Sequence, residues 1–296
     1  MFLLYVNDIE NCVADVAIKL FADDTNIFVH GQCLKQTISK VNDSLALLND
    51  WFSANKLSLS INKTFYSIFN KRLDNTNNSV IHISGSVIQQ VACTKYLGMF
   101  VDNQLSWKEH IQYIYKKLLK FVSIFYKLRY KLSLDVLKML YFSFIHPHLY
   151  YGIELYGNTN KTTLKPLMTL NNKILRILQH KPYGTCTAAL YKRFNTLPIS
   201  VLHTYQLLLL AHKFVHHRGK LPSAFSQYFI HNYEVHNYST RRQNDLYLQR
   251  LRTTRGKRLI KFKASHLWND LPNNLKQIQS LNLFKHEFKK FCLSKL

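Results

Sequence analysis

Residues 16–29 read VAIKLFADDTNIFV, and two adjacent carboxylates, Asp23 and Asp24, stand in the middle of this otherwise apolar, strand-forming run. Two unit charges about 5 Å apart repel by roughly 3 kcal/mol at an effective dielectric of about 20. That is a sizeable fraction of a domain's stability. Either solvent screens the pair or a divalent cation offsets it. Mg²⁺ is a hard ion that prefers oxygen, and it is usually held by one or two carboxylates together with substrate phosphates. A DD pair on a tight turn is therefore compatible with a phosphate-handling cation site. By itself the dipeptide is better read as a solvent-exposed acidic turn.

The elements that would position the pair are legible in the hydrophobic pattern. Val16, Ile18 and Leu20 alternate with Ala17 and Lys19, and Ile27 to Val29 resume the run, which predicts two strands joined by an acidic turn. Leu34, Ile38, Val41, Leu45, Leu48 and Phe52 recur at steps of three and four, an amphipathic helix that stops near Asn55. Residues 2–9, FLLYVNDI, are apolar nearly all round and predict a buried helix end. Leu57, Leu59 and Ile61 alternate with polar residues and predict a further strand, continued by FYSIF at 65–69. A polar loop, DNTNNS at 74–79, leads to short strands around VIHIS, SVIQQV and KYLGMFVD, punctuated by Gly85 and Gly98. Past Trp107 the pattern turns helical, over residues 111–128, 134–144, 164–178 and 201–215, with Pro147, Pro182 and Pro198 between.

Charge bounds the partners. The 296 residues carry 40 Lys and Arg against 16 Asp and Glu, a formal +24, which draws a chain toward a polyanion. Residues 1–50 run the other way, with seven acidic groups against three lysines. The last 56 residues hold 14 Lys and Arg against three acids, interleaved with Trp268, Phe262, Phe284, Phe288 and Phe291. Mixed cations and aromatics suit backbone neutralisation and base stacking. They suit a solvated helix face with a buried aromatic side as well.

Five widely spaced cysteines with no CxxC pair argue against a disulfide framework and a thiolate zinc site, and fit a reducing compartment. His146 and His148 flank Pro147 and His216 neighbours His217, but no cysteine lies at zinc-finger spacing from them, so packing or surface roles are expected. MFLLYV is too short to span a bilayer and lacks a basic leader, so an intracellular protein, cytoplasmic or nuclear, without a membrane partner is expected. Nucleophile triads and glycine-rich phosphate loops find no local support.

FADD at 21–24 resembles the F/Y-x-D-D box of reverse transcriptases, and other stretches follow in the order of non-LTR retrotransposon polymerases. LLYVNDI at 3–9 is similar to the segment after the family's Q-G-S box, and NKLSLSINKTFYSIF at 55–69 to its next palm motif. KYLGMFVD at 95–102 resembles the primer-grip hairpin and LSWKEHI at 105–111 the opening of the thumb. LYYGIELYGNT at 149–159 and RLRTTRGKRLIKFKASHLWNDLPNNLK at 250–276 resemble the region trailing the polymerase in jockey-like elements.

The resemblance implies an α+β fold: a partial polymerase palm of antiparallel sheet and packed helices over residues 1–104, a helical thumb over 105–180, and a basic, mostly helical region over 181–296. It implies Mg²⁺ as the cofactor, Asp23 as a direct ligand and Asp24 as a weaker partner, with Lys63 approaching the leaving pyrophosphate. Tyr96, Leu97 and Gly98 would place the primer end. Arg250, Arg252, Arg255, Lys257, Arg258, Lys261 and Lys263 would contact nucleic acid. Family chemistry is attack of a primer 3′-hydroxyl on a dNTP, on an RNA template or RNA/DNA duplex, and needs a third carboxylate from an earlier box. No plausible substitute for that acid appears in this sequence. The expectation is a polymerase fragment inactive alone, or an RNA-binding remnant without chemistry.

Overall fold

The computed structural model describes residues 2–13, 16–69, 80–236, 238, 241–254 and 256–296. The chain divides into two compact units, Met1–Leu105 and Ser106–Leu296.

In the first unit a short helix α1 (Phe2–Tyr5) precedes the hairpin β1 (Ala17–Phe21) and β2 (Asp24–Phe28). The strands are antiparallel, with Ala17 opposite Phe28 and Phe21 opposite Asp24. Helix α2 (Leu34–Ala54) follows, ending at Asn55. Its Ile38, Leu45 and Leu48, spaced along one face, close on Ile9, Ile18, Ile81, Ile83 and Ile88 to form the core. Short strands complete the unit: β3 (Phe65–Tyr66), β4 (His82–Ile83), β5 (Ser86–Val87), β6 (Gln89–Gln90), β7 (Cys93–Tyr96) and β8 (Met99–Asp102). They form separate two-stranded ladders, β3 with β6 in parallel and β4–β5 and β7–β8 as hairpins. The Asn42 side chain fixes the β4 edge to α2: its Oδ1 accepts from His82 N at 3.1 Å and its Nδ2 donates to Val80 O at 3.3 Å.

The structure departs from the sequence pattern at two places. Leu57–Ile61 does alternate between half-buried and exposed, but among the described residues no ladder partner pairs with it, and a 3₁₀ turn (Ile61–Lys63) takes over. Alternation reports one-sided burial; a strand also needs a neighbour. The opening residues are not a buried helix end throughout: Val6 and Ile9 are buried, but Leu4 is 82% exposed and Tyr5 is 49% exposed. The 74–79 loop lies outside the described residues.

The second unit is helical: α3 (Lys108–Leu128), α4 (Leu134–Leu140), α5 (His146–Tyr150), α6 (Ile153–Tyr156), α7 (Lys161–Leu178), α8 (Thr187–Phe194), α9 (Ile199–His216), α10 (Asn232–Val235), α11 (Ile260–Asn269), α12 (Asn273–Lys276) and α13 (Leu281–Ser294). A π-turn, Tyr141–Ile145, joins α4 to α5. Pro147 has no N–H to return to the Ser143 carbonyl, and the widened turn absorbs that lost bond. Helices α3 and α7 pack through Ile111, Ile114, Leu118 and Phe125 against Leu164, Leu167, Leu170 and Ile174. Helix α9 buries Gln206 to Leu209 in succession and is the unit's central rod, packed by α6, α11 and α13. A buried polar chain ties α7 to its neighbours. Tyr141 Oη donates to Asn171 Oδ1 at 3.2 Å, Asn171 Nδ2 donates to Tyr191 Oη at 3.1 Å, and Tyr191 donates to Asn172 Oδ1 at 2.7 Å.

The histidines near the end of α9 have packing roles. His212, His216 and His217 bring Nε2 to the carbonyl oxygens of Ile278, Lys276 and Gln279 at 2.7, 2.8 and 2.9 Å, fastening the α12–α13 connection to α9. None of the five cysteines forms a disulfide.

Candidate functional site

The FADD hairpin turns over two residues, Ala22 and Asp23, and Asp24 opens β2. Ala22 sits at φ 53°, a left-handed conformation that costs an L-residue roughly 1 kcal/mol, so the tight turn is held by its ladder and not by local preference. Asp23 and Asp24 are both exposed. Solvent therefore screens their repulsion without a counter-ion. Among the described residues no three His, Cys, Asp or Glu side chains gather to hold a metal ion. The pair alone does not supply the ligand set of a two-cation phosphoryl-transfer site.

The second hairpin, β7–β8, turns at Leu97 and Gly98, with φ of 45° and 81° and Tyr96 opposite Met99. Two successive positive φ values are the signature of the tightest hairpin turn, whose twist matches that of its strands. Gly98 takes its conformation freely; Leu97 does not. Tyr96 is half-buried and its ring meets Phe28 of β2 edge-on, centroids 6.4 Å apart at 78°. FADD and YLG thus stand on two neighbouring hairpins. Lys63, the last residue of the 3₁₀ turn, is exposed.

In the second unit the basic residues divide into two groups. Arg250, Arg252 and Lys257 are exposed, whereas Lys261 is half-buried on α11. Arg255 lies outside the described residues. Arg258 and Lys263 are tied to the loop after α6: Arg258, itself exposed, donates to Asn160 Oδ1, and the half-buried Lys263 donates from Nζ to Asn158 Oδ1 at 3.1 Å and lies 3.5 Å from His203 Nδ1. Burial, with the Arg258 charge added, lowers the Lys263 pKa. Burial and then the Lys263 charge push His203 down to about 4, against a backbone contact at Glu154 that opposes them. Gly157 completes the junction, since a Cβ there would stand 2.8 Å from His203 Cδ2. The YGNT and RLIKFK segments are thus two halves of one packed feature, and two of the seven tail cations hold that feature together.

Sequence reasoning passed over a second set of cations and rings. The Arg129 guanidinium stacks on Tyr126 at 3.9 Å and Tyr130 at 4.4 Å from their centroids, and Arg176 lies 5.4 Å over Tyr183. The interleaving of Tyr and Arg in YKLRY at 126–130 was the available signal.

No family model and no solved structure matches this chain. Curated relatives do match, among them the following three. It is 25% identical over 172 residues to the RNA-directed DNA polymerase from mobile element jockey of Drosophila funebris, covering 57% of this chain and 19% of the relative. It is 26% identical to the jockey polymerase of Drosophila melanogaster over the same shares. It is 22% identical over 192 residues to the probable RNA-directed DNA polymerase from transposon BS of Drosophila melanogaster, covering 63% of this chain and 20% of the relative. The chain spans about a fifth of the length of these relatives. Over somewhat more than half its length, the chain is thus a sequence relative of the RNA-directed DNA polymerases of jockey-type non-LTR retrotransposons, the resemblance its ordered motifs carry.

Proposed function

We propose that this chain is the nucleic-acid-gripping part of a non-LTR retrotransposon RNA-directed DNA polymerase, and that residues 106–296 hold the phosphate backbone of an RNA template or RNA/DNA duplex. The supporting observation is where the charge sits. Residues 1–105 carry 8 Lys and Arg against 9 Asp and Glu, a net −1, whereas residues 106–296 carry 32 against 7, a net +25. The whole excess lies in the helical unit, where it raises local affinity for polyanions.

In this reading residues 1–104 correspond to the later palm, 105–180 to the thumb and 181–296 to the basic trailing region. Asp23 and Asp24 are Mg²⁺ ligands only beside an acid from another segment, and Lys63 serves the leaving pyrophosphate in that setting. Tyr96, Leu97 and Gly98 seat the primer end, which the fixed turn and the Phe28–Tyr96 contact support. The polypeptide alone binds nucleic acid and takes up dNTP only when completed. A binding remnant without chemistry is the second reading, favoured by the exposure of both carboxylates.

The exposed cations are the ones to test. Arg250→Gln, Arg252→Gln and Lys257→Gln should each weaken binding of an RNA/DNA hybrid evenly across sequences and reduce the salt slope by about 1. Unchanged slopes in all three would contradict this assignment of the phosphate contacts.

A further inference from the structure

At the C-terminal end of α3, Tyr126 and Tyr130 are 56% and 74% exposed, with the Arg129 guanidinium stacked on both rings. Tyr130 also meets the His180 ring, centroids 5.1 Å apart. His180 belongs to the cap of α7, where the Lys181 amide donates back to Arg176 O at 2.9 Å and His180 itself sits at φ 54°. A left-handed cap of this kind usually carries Gly, because any side chain there is strained. Here it carries a ring that lies on Tyr130. Three residues on, Tyr183 is 87% exposed, with Arg176 over its face and the Arg176 Nη2 donating to Thr185 O at 3.3 Å.

The electrostatics of this corner are one-sided. Residues 126–133 and 176–185 contain Lys127, Arg129, Lys131, Arg176 and Lys181 and no acid; the first carboxylate beyond them is Asp135, at the start of α4. Among the described residues neither Arg129 nor Arg176 has a carboxylate partner, and the Nε of each is buried without a hydrogen-bond acceptor. Exposed rings gathered at one place, rather than scattered singly, mark a surface that meets another molecule. Exposed rings that each carry a guanidinium over one face, in a field of uncompensated positive charge, match bases joined by phosphates.

We propose that the corner formed by the C-terminal ends of α3 and α7, with Tyr130 and Tyr183 as its platforms, stacks the unpaired bases of a single-stranded nucleic acid while Arg129, Arg176 and the adjacent lysines neutralise its phosphates. The proposal rests on the nucleic-acid reading above and adds strand state to it: a paired duplex hides the base faces that these rings would take. Stacking tolerates any base, so the site grips without reading sequence.

The test is fluorescence anisotropy of labelled oligonucleotides of about 12 nucleotides, a length within the usual span of such sites. The full chain is titrated with single-stranded RNA, single-stranded DNA of the same sequence, an abasic strand, and an RNA/DNA hybrid. Tyr130→Ala and Tyr183→Ala should each weaken base-bearing single strands by about 5- to 100-fold, leave the abasic strand and the hybrid unchanged, and preserve the salt slope. Tyr130→Phe and Tyr183→Phe keep the face and should bind as the parent does. Comparing the RNA and DNA strands identifies which of them the site prefers. Alanine variants that bind base-bearing strands as the parent does overturn the proposal, as does a parent chain that holds the abasic strand equally well. Binding of the hybrid with failure to bind single strands overturns this inference and leaves the broader reading standing; failure to bind any of the four removes both.

Discussion

Phe28 and Tyr96 meet edge to face, centroids 6.4 Å apart with their planes at 78°, and this contact sets the carboxylate hairpin beside the hairpin that turns at Leu97 and Gly98. Both hairpins are two-stranded ladders, marginal when isolated, so their mutual packing has to supply part of their order. A double-mutant cycle of Phe28→Ala and Tyr96→Ala, read by urea unfolding, should give a coupling of about 0.5–1.5 kcal/mol, the usual worth of an aromatic pair beyond its buried area. Strict additivity would mean that the two hairpins do not support each other.

The junction of the two tail segments rests on a missing side chain. A Cβ at residue 157 would stand 2.5 Å from Ile153 O and 2.8 Å from the His203 ring. His203 is buried between α6 and Lys263 and has little room to move. Gly157→Ala should therefore destabilise the protein by about 1–3 kcal/mol, the cost of overpacking a filled interior. Differential scanning calorimetry reads this as a lowered Tm, and an unchanged Tm would show that the ring yields freely.

Four histidines have pKa values held down to about 4: His110 by burial, His146 by burial and then the Lys289 charge, His203 as described, and His212 by burial and then the His216 and His217 rings, against its bond to Ile278. Unfolded histidine titrates at about 6.5, so between these values the unfolded chain binds the more protons. Each group's contribution is fully present above about pH 6.5 and is lost as pH falls toward 4, at up to about 1.4 kcal/mol per pH unit per histidine. Chemical denaturation from pH 7.5 to 4.5 should show stability falling with acid over this window. A flat profile would place these rings in water.

The sequence carried the periodic elements well. The three-and-four spacing from Leu34 to Phe52 became α2, and the long helices past Trp107 followed the same rule. What failed was pairing: the alternation of Leu57, Leu59 and Ile61 is real as burial but meets no partner strand among the described residues, which no local pattern can reveal. The tail cations failed in a different way. A basic count cannot tell Arg250, which faces water, from Lys263, which bonds Asn158 across more than a hundred residues of sequence. The Tyr130 and Tyr183 corner escaped notice because its two halves are far apart in the chain and meet only through the α3–α7 packing.

The carboxylate pair yields a prediction about what this polypeptide does alone. With both side chains exposed and no third ligand among the described residues, isothermal titration should show no saturable Mg²⁺ binding below the millimolar range, the behaviour of one or two solvated carboxylates. On a homopolymer template the chain should extend no primer. Mg²⁺-dependent synthesis abolished by Asp23→Ala would show instead that the polypeptide completes the site by itself.

If the +25 carried by residues 106–296 holds a phosphate backbone, the affinity for an RNA/DNA hybrid must depend steeply on salt. A plot of log K against log salt concentration should fall with a slope steeper than about −3, each neutralised phosphate adding nearly one unit. A slope near zero would contradict the account, because charge that releases no counter-ions is not gripping a nucleic acid.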